Sequence, residues 1–259
     1  MRISRYLIVV ISAVFFSCDS ISEDKLTIAT SSNMQFVMRE LTASFSMETK
    51  IQCEIIVGSS GKLSAQIKQG APFDLFVSAN MKYPEDLYKG GFTTKKPTIY
   101  AYGKLVLWTM SPSVDLSLNY LTSDRVKHIA VANPKIAPYG IPAIEVLKNE
   151  GLYELVKEKL VFGENISQTN QFITSEVAEV GFTAKSVVLS PNMKENKNWI
   201  EMNIRSYSPI AQGVVILKNR NDHLEDAQKF YNFLLSAEGG QILSKFGYAL
   251  NNDKTSVYK

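Results

Sequence analysis

The sequence predicts an α/β protein of two lobes joined by two crossover strands. Its 259 residues exceed the length at which single hydrophobic cores usually stop growing, and short strand-like runs alternate with stretches of helical periodicity. Two runs, 99–108 and 208–217, are long enough to pass between lobes. Crossings there place 26–102 plus 214–259 in lobe 1 and 103–213 in lobe 2. The alternative is one large doubly wound sheet, which would show the same periodicity.

The first lobe opens with a predicted strand at 26–29, followed by an apolar face over 34–45 with the i, i+3, i+4, i+7 spacing of a helix. An alternating run at 51–57 predicts the second strand, and a short helix ended by Gly70 leads to a third strand at 75–77. Strands that alternate with helices predict a parallel sheet with crossover helices.

The second lobe repeats this alternation. Its predicted strands lie at 105–108, 129–132 and 180–183, and its predicted helices run from Gly140 to Gly151 and over 152–160. The chain then returns through an apolar run at 212–217 to a final helical region at 224–235.

The first 17 residues (1–17) have the pattern of a secretory signal peptide. Arg2 and Arg5 form a basic start, and the apolar run at 6–16 is shorter than the ~20 residues of a permanent membrane-spanning helix. Removing this segment takes Lys plus Arg from 28 to 26 against 25 Asp plus Glu, a formal net charge of +1. No nucleic-acid partner is therefore expected.

A cysteine follows the predicted signal peptide directly. Cys18 and the polar segment 18–25 resemble the lipid-anchored tether of a bacterial lipoprotein, with Cys18 acylated after cleavage. Phe15 and Phe16 stand where smaller residues are usual, and the alternative is plain secretion. If Cys18 is acylated, Cys53 has no disulfide partner, and its alternating run predicts a buried apolar role.

Two strand-to-helix turns carry small hydroxyl and amide residues: 29–33, with Ser32 and Asn33, and 58–62, with Ser60. In parallel α/β lobes, ligands gather at the carboxyl ends of strands, where helix N-termini expose unpaired N–H groups. These turns predict an anion site made of N–H and hydroxyl donors without a cationic side chain. The alternative is that each turn only caps its own helix.

Patterns for catalysis or metal binding are few. His128 and His223 lie in charged stretches expected to be exposed, with no neighbouring ligand at metal spacing. Asp74 is expected to fill a turn or cap role. A lipid-anchored hydrolase using Ser60 with Asp74 is an alternative, but it lacks a histidine partner, and no enzymatic activity or cofactor is expected.

An ordered set of motifs covers nearly all of the mature chain. The motifs are GSSGKL at 58–63, GAPFDLFVSA at 70–79, ANP at 132–134, APYG at 137–140, GENISQ at 163–168, VGFTA at 180–184 and GY at 247–248. Together they resemble the molybdate-binding substrate-binding proteins of bacterial ABC importers. The resemblance implies a periplasmic-binding-protein fold of type II and a periplasmic or cell-surface monomer. Such a protein binds molybdate or tungstate and delivers it to an ABC permease in the inner membrane.

The resemblance also implies which residues hold the oxyanion. Ser32, Asn33 and Ser60 would contact it through hydroxyl, amide and backbone N–H groups, and Tyr139 and Ile166 largely through backbone N–H groups. Ala184 stands where one branch of the family has a tyrosine, which favours the branch that uses Asn in the first turn.

None of these positions is acidic. A fully deprotonated tetrahedral dianion offers only acceptors, whereas the proton of monohydrogen phosphate would need an acceptor in the site. The residues therefore argue against phosphate, but not against another tetrahedral oxyanion such as sulfate, which is the alternative ligand.

Overall fold

The computed structural model describes residues 25–193, 198–218 and 222–250. The predicted signal peptide and Cys18 lie outside the described residues. The strands of the described part are β1 Leu26–Ser31, β2 Cys53–Gly58, β3 Leu75–Val77, β4 Thr98–Gly103, β5 Leu105–Trp108, β6 Ile129–Ala132, β7 Leu160–Gly163, β8 Val180–Ala184, β9 Trp199–Glu201 and β10 Ile210–Ile216.

The α-helices alternate with these strands. They are α1 Gln35–Thr49, α2 Ser60–Lys68, α3 Lys82–Lys89, α4 Gly140–Asn149, α5 Tyr153–Val156, α6 Ile166–Thr174, α7 Lys185–Val188, α8 Leu224–Leu234 and α9 Ala237–Lys245. Among the described residues, no helix is both long enough and apolar enough to span a bilayer.

Two separate five-stranded sheets form the cores of two lobes, as predicted, so the single doubly wound sheet is wrong. The first sheet has the order β2-β1-β3-β10-β4, and the second has the order β7-β6-β8-β5-β9. In each, the first three strands of that order are parallel, and the fourth is antiparallel to both of its neighbours. That fourth strand is the one that enters from the other lobe.

The chain changes sheets twice. β4 ends at Gly103 in the first sheet and β5 begins at Leu105 in the second, so the outward crossing is at Lys104. The return crossing precedes Ile210, because all of β10 pairs with β3 or β4. The predicted end of lobe 2, at residue 213, falls inside β10.

Both faces of the first sheet are covered. Leu26 and Ile28 of β1 pack in a core with α1, α8 and α9, whereas Ala29 packs on the opposite face with Phe76 and the residues of α2. Every residue of β1 is buried. The apolar residues of β1 supply both cores, although half of the strand, LTIATS, consists of Thr and Ser.

The edge strand β7 of the second sheet was not predicted. The helical stretch expected over 152–160 ends with α5 and a short 3-10 turn at Lys159, and Leu160–Gly163 forms β7 instead. This segment pairs in parallel with β6 at the edge of the second sheet. A four-residue edge strand that directly follows a helical turn shows too little periodicity to be separated from it.

Candidate functional site

All five residues expected to hold an anion line one small cavity between the lobes. Ser32, Asn33 and Ser60 come from the first lobe, and Tyr139 and Ile166 from the second. The other lining residues are Ser31, Gly58, Ser59, Ala79, Ala137 and Pro138. None of them is charged. The volume of the cavity is about 10 Å³, roughly the space of one water molecule.

The cavity lies where parallel strands of both sheets end. Ser32 opens a 3-10 turn that leads into α1, Ser60 begins α2, Tyr139 caps α4 and Ile166 begins α6. The first N–H groups of a helix have no carbonyl partner inside it, and the helix dipole adds partial positive charge there. Four helical segments, two from each lobe, therefore begin at this cavity.

The Ser60 hydroxyl is fixed by a backbone group of its own lobe. Its Oγ accepts a hydrogen bond of 3.1 Å from the Ala79 N–H, and the residue is fully buried. Ser59 does the capping, since its Oγ accepts from the Lys62 N–H. The hydroxyl hydrogen of Ser60 is thus left to donate, and the capping alternative applies to Ser59 rather than to Ser60.

The Ser32 hydroxyl is fixed from across the cavity. Its Oγ accepts the N–H of Ile166 at 3.0 Å. One lone pair of the oxygen is used by this contact, as in Ser60. The Ile166 N–H of the second lobe is therefore bonded to Ser32 of the first lobe, and this hydrogen bond joins the lobes.

The Asn33 amide, which is expected to contact the ligand, is hydrogen-bonded within the protein. Its Nδ2 donates to Gln212 Oε1 at 3.0 Å and to Tyr248 Oη at 2.8 Å, and its Oδ1 accepts from Ser31 Oγ at 2.7 Å. Both amide hydrogens are used in the protein interior. Asn33 thus lines the cavity, and the hydrogen bonds of its side chain hold the turn in place.

Tyr139 contributes its backbone at the start of α4. Its ring is buried, and its Oη accepts from Gln212 Nε2 at 3.2 Å. Burial, with the nearby tyrosines, raises the pKa of Tyr139 well above its usual value, so the phenol stays neutral. The hydroxyl is thus engaged with Gln212 in the interior, which fits a contribution of Tyr139 to the cavity through its main chain.

A buried polar network behind the cavity was missed from the sequence. It comprises Asn33, Gln212, Tyr100, Tyr139, Tyr248 and Ser186, all buried. Burial raises the pKa of Tyr248 to about 12, so this phenol also stays neutral. The only sequence signal was a glutamine in the middle of an otherwise apolar strand, at Gln212. Ala184 is buried at the end of β8 and does not line the cavity.

The lobes are in direct contact beside the cavity. The Gly61 N–H donates to the Ile136 carbonyl at 3.0 Å, and a Cβ at Gly61 would lie 2.9 Å from that oxygen and 2.8 Å from the Tyr83 hydroxyl. Lys62 Nζ lies 2.9 Å from Glu164 Oε1, with both side chains more than 40% exposed. This exposed pair adds little stability.

The residues of the hydrolase alternative are not brought together. Asp74 precedes β3, whereas Ser60 is bonded to Ala79 beyond the other end of that strand, five residues further along the chain, or roughly 16 Å at ~3.3 Å per residue. Asp74 Oδ2 instead accepts the Thr27 N–H at 2.7 Å and lies 3.1 Å from His223 Nδ1.

His223 is therefore buried, and the expectation that it is exposed is wrong. His128 is exposed as expected. No cluster of three metal-ligating side chains occurs in the part of the chain that the structure describes. Cys53 is half-buried, and burial raises the pKa of its thiol to about 11.

A family model described as bacterial extracellular solute-binding protein matches residues 26–249. The chain belongs to this family of solute-binding proteins. The molybdate-binding protein ModA of Azotobacter vinelandii is 34% identical over 94% of this chain and 97% of its own length. That of Rhodobacter capsulatus is 37% identical over 85% of this chain and 86% of its own.

The fold of this solute-binding protein also matches a solved structure. The periplasmic molybdate-binding protein of Azotobacter vinelandii superposes with a TM-score of 0.82 at 32% sequence identity, over 87% of this chain and 99% of that one. The predicted two-lobed binding-protein fold is thereby confirmed.

Proposed function

We propose that this solute-binding protein binds molybdate, and tungstate with it, in the cavity between its lobes and delivers it to an ABC permease. The observation that carries the proposal is a cavity lined only by neutral groups, at the starts of helical segments from both lobes. The names of the relatives at 34% and 37% identity support the same ligand.

The hydroxyl geometry supports a fully deprotonated ligand. Ser60 Oγ accepts from Ala79, and Ser32 Oγ accepts from Ile166, so each hydroxyl keeps a hydrogen for an anion. A charge-assisted hydrogen bond of this kind contributes about 1.5–3 kcal/mol. No lining residue is acidic, so the proton of monohydrogen phosphate would be left without an acceptor.

Titration calorimetry of the mature protein with molybdate, tungstate, sulfate and phosphate tests the proposal. We expect saturable binding of molybdate and tungstate at one site per chain, and no binding of phosphate. Retention of molybdenum after desalting, measured by elemental analysis, is an independent readout. Binding of sulfate in preference to molybdate would support the alternative ligand, and binding of none of the four would contradict the function.

Cys18 carries the proposed anchor. We propose that the mature protein is held on the outer side of a membrane by acylation of this residue and acts there as a monomer without a cofactor or enzymatic activity. The protein should fractionate with membranes, and Cys18→Ser should release it or block its processing. A wild-type protein found only in the soluble extracytoplasmic fraction would favour plain secretion.

A further inference from the structure

The polar network behind the cavity meets at one side chain. Gln212 is fully buried in β10, the strand that returns from the second lobe to the first. Its Oε1 accepts from Asn33 Nδ2 at 3.0 Å and from Tyr100 Oη at 2.7 Å, both in the first lobe. Its Nε2 donates to Tyr139 Oη at 3.2 Å in the second lobe.

Backbone geometry is adapted to this contact. The pairing of β10 with β4 shifts register between Gln212 and Gly213 and leaves Tyr100 of β4 without a paired residue, as in a β-bulge. A bulge changes the direction in which a side chain points and is often found beside functional sites. Gly103, the last residue of β4, leaves the space for the contact, because a Cβ there would overlap Tyr139 Oη and Gln212 Nε2.

Gln212 thus touches a cavity-lining residue of each lobe from behind. Asn33 belongs to the turn that carries Ser32, and Tyr139 carries the backbone at the start of α4. A buried amide with all of these partners has one favourable orientation, because any displacement leaves a polar group without a hydrogen bond. The distance between the two turns is therefore coupled to this side chain.

We infer that Gln212 is a positioning residue for anion binding, which holds the Asn33 turn and the Tyr139 turn at the separation that suits a bound oxyanion. This rests on the proposed function. Gln212 does not line the cavity, so it acts through the two turns. If its contact with Tyr139 of the second lobe is lost, the two lobes of the ligand-bound protein should separate more often. The dissociation rate of the anion should then rise.

Tyr139→Phe removes the hydroxyl of this contact and keeps the backbone of α4. We expect it to raise the molybdate dissociation rate about 3- to 10-fold, the effect of one neutral hydrogen bond, with little change in the association rate. Stopped-flow kinetics on the purified mature protein measures both rates. Gln212→Met should raise the dissociation rate at least as much, and the double variant should add little to it.

Tyr231→Phe is the matched control. Tyr231 is a buried tyrosine of α8 whose hydroxyl donates to Thr98 Oγ1 at 2.6 Å, within the first lobe and away from the cavity. Tyr139→Phe and Tyr231→Phe each lose one tyrosine hydrogen bond, so both should be less stable than the wild type. Only Tyr139→Phe should release molybdate faster, and the dissociation rate of Tyr231→Phe should match that of the wild type.

The outcomes separate the two proposals. A Tyr139→Phe protein that releases molybdate at the wild-type rate, or a control that releases it equally fast, overturns the role of Gln212 while the function stands. Wild-type protein that binds no molybdate overturns the proposed function, and the positioning role falls with it.

Discussion

The two lobes supply different chemistry to the same cavity. The first presents side-chain hydroxyl groups, Ser32 and Ser60, each fixed by an accepted backbone N–H. The second presents Tyr139 and Ile166, whose side chains pack in the core of that lobe and whose main chain starts a helix. Side-chain substitution at Ser32 or Ser60 should therefore remove a direct donor to the anion, whereas at Tyr139 or Ile166 it leaves the main-chain N–H in place and acts only indirectly.

Substitution in the first lobe should have the largest effect. Ser60→Ala removes a charge-assisted hydrogen bond and leaves the Ala79 N–H without its acceptor, so molybdate affinity should fall about 10- to 150-fold. Ser64→Ala, also buried in α2, is the matched control and should bind as the wild type does. Equal isotherms for Ser60→Ala and the wild type would remove this hydroxyl from the site.

To test the contribution of the second lobe, a backbone N–H group must be removed. Ile166 is the first residue of α6, where proline is tolerated, and Asn165 before it is extended, as proline requires. Ile166→Pro loses the N–H that bonds Ser32, and we expect an affinity loss of about 3- to 10-fold by calorimetry.

Ile166→Ala keeps that N–H and provides the comparison. It should change affinity less than about 3-fold, although the lost core contacts cost roughly 2–5 kcal/mol of folding stability. If Ile166→Ala weakened binding as much as Ile166→Pro, the side chain rather than the main chain would be the contributor.

The exposed Lys62–Glu164 pair should have the smallest effect. Both partners are well exposed, so Lys62→Met should change affinity less than about 5-fold, corresponding to at most ~1 kcal/mol. The difference from wild type should shrink as salt is added, because exposed charges are screened. A large effect that persists in high salt would mean that this cation acts on the anion directly.

The sequence was sufficient for features that depend on local pattern. The buried run of β1 and the turns that hold Ser32 and Ser60 follow from periodicity and from small residues at strand ends. The side-chain direction of Asn33 could not be predicted, because it is decided by Gln212, 179 positions away. The burial of His223 likewise depends on Asp74, 149 positions away.

Gly61 lies at a close contact between the two lobes. Its α-carbon faces the carbonyl of Ile136 and the phenol of Tyr83 with no room for a methyl group. The methyl group of an alanine at this position would therefore push Ile136, and with it the second lobe, away from the first. A ligand held between the lobes, as proposed, would then lose contacts with one of them, and we expect Gly61→Ala to bind molybdate more weakly than the wild type.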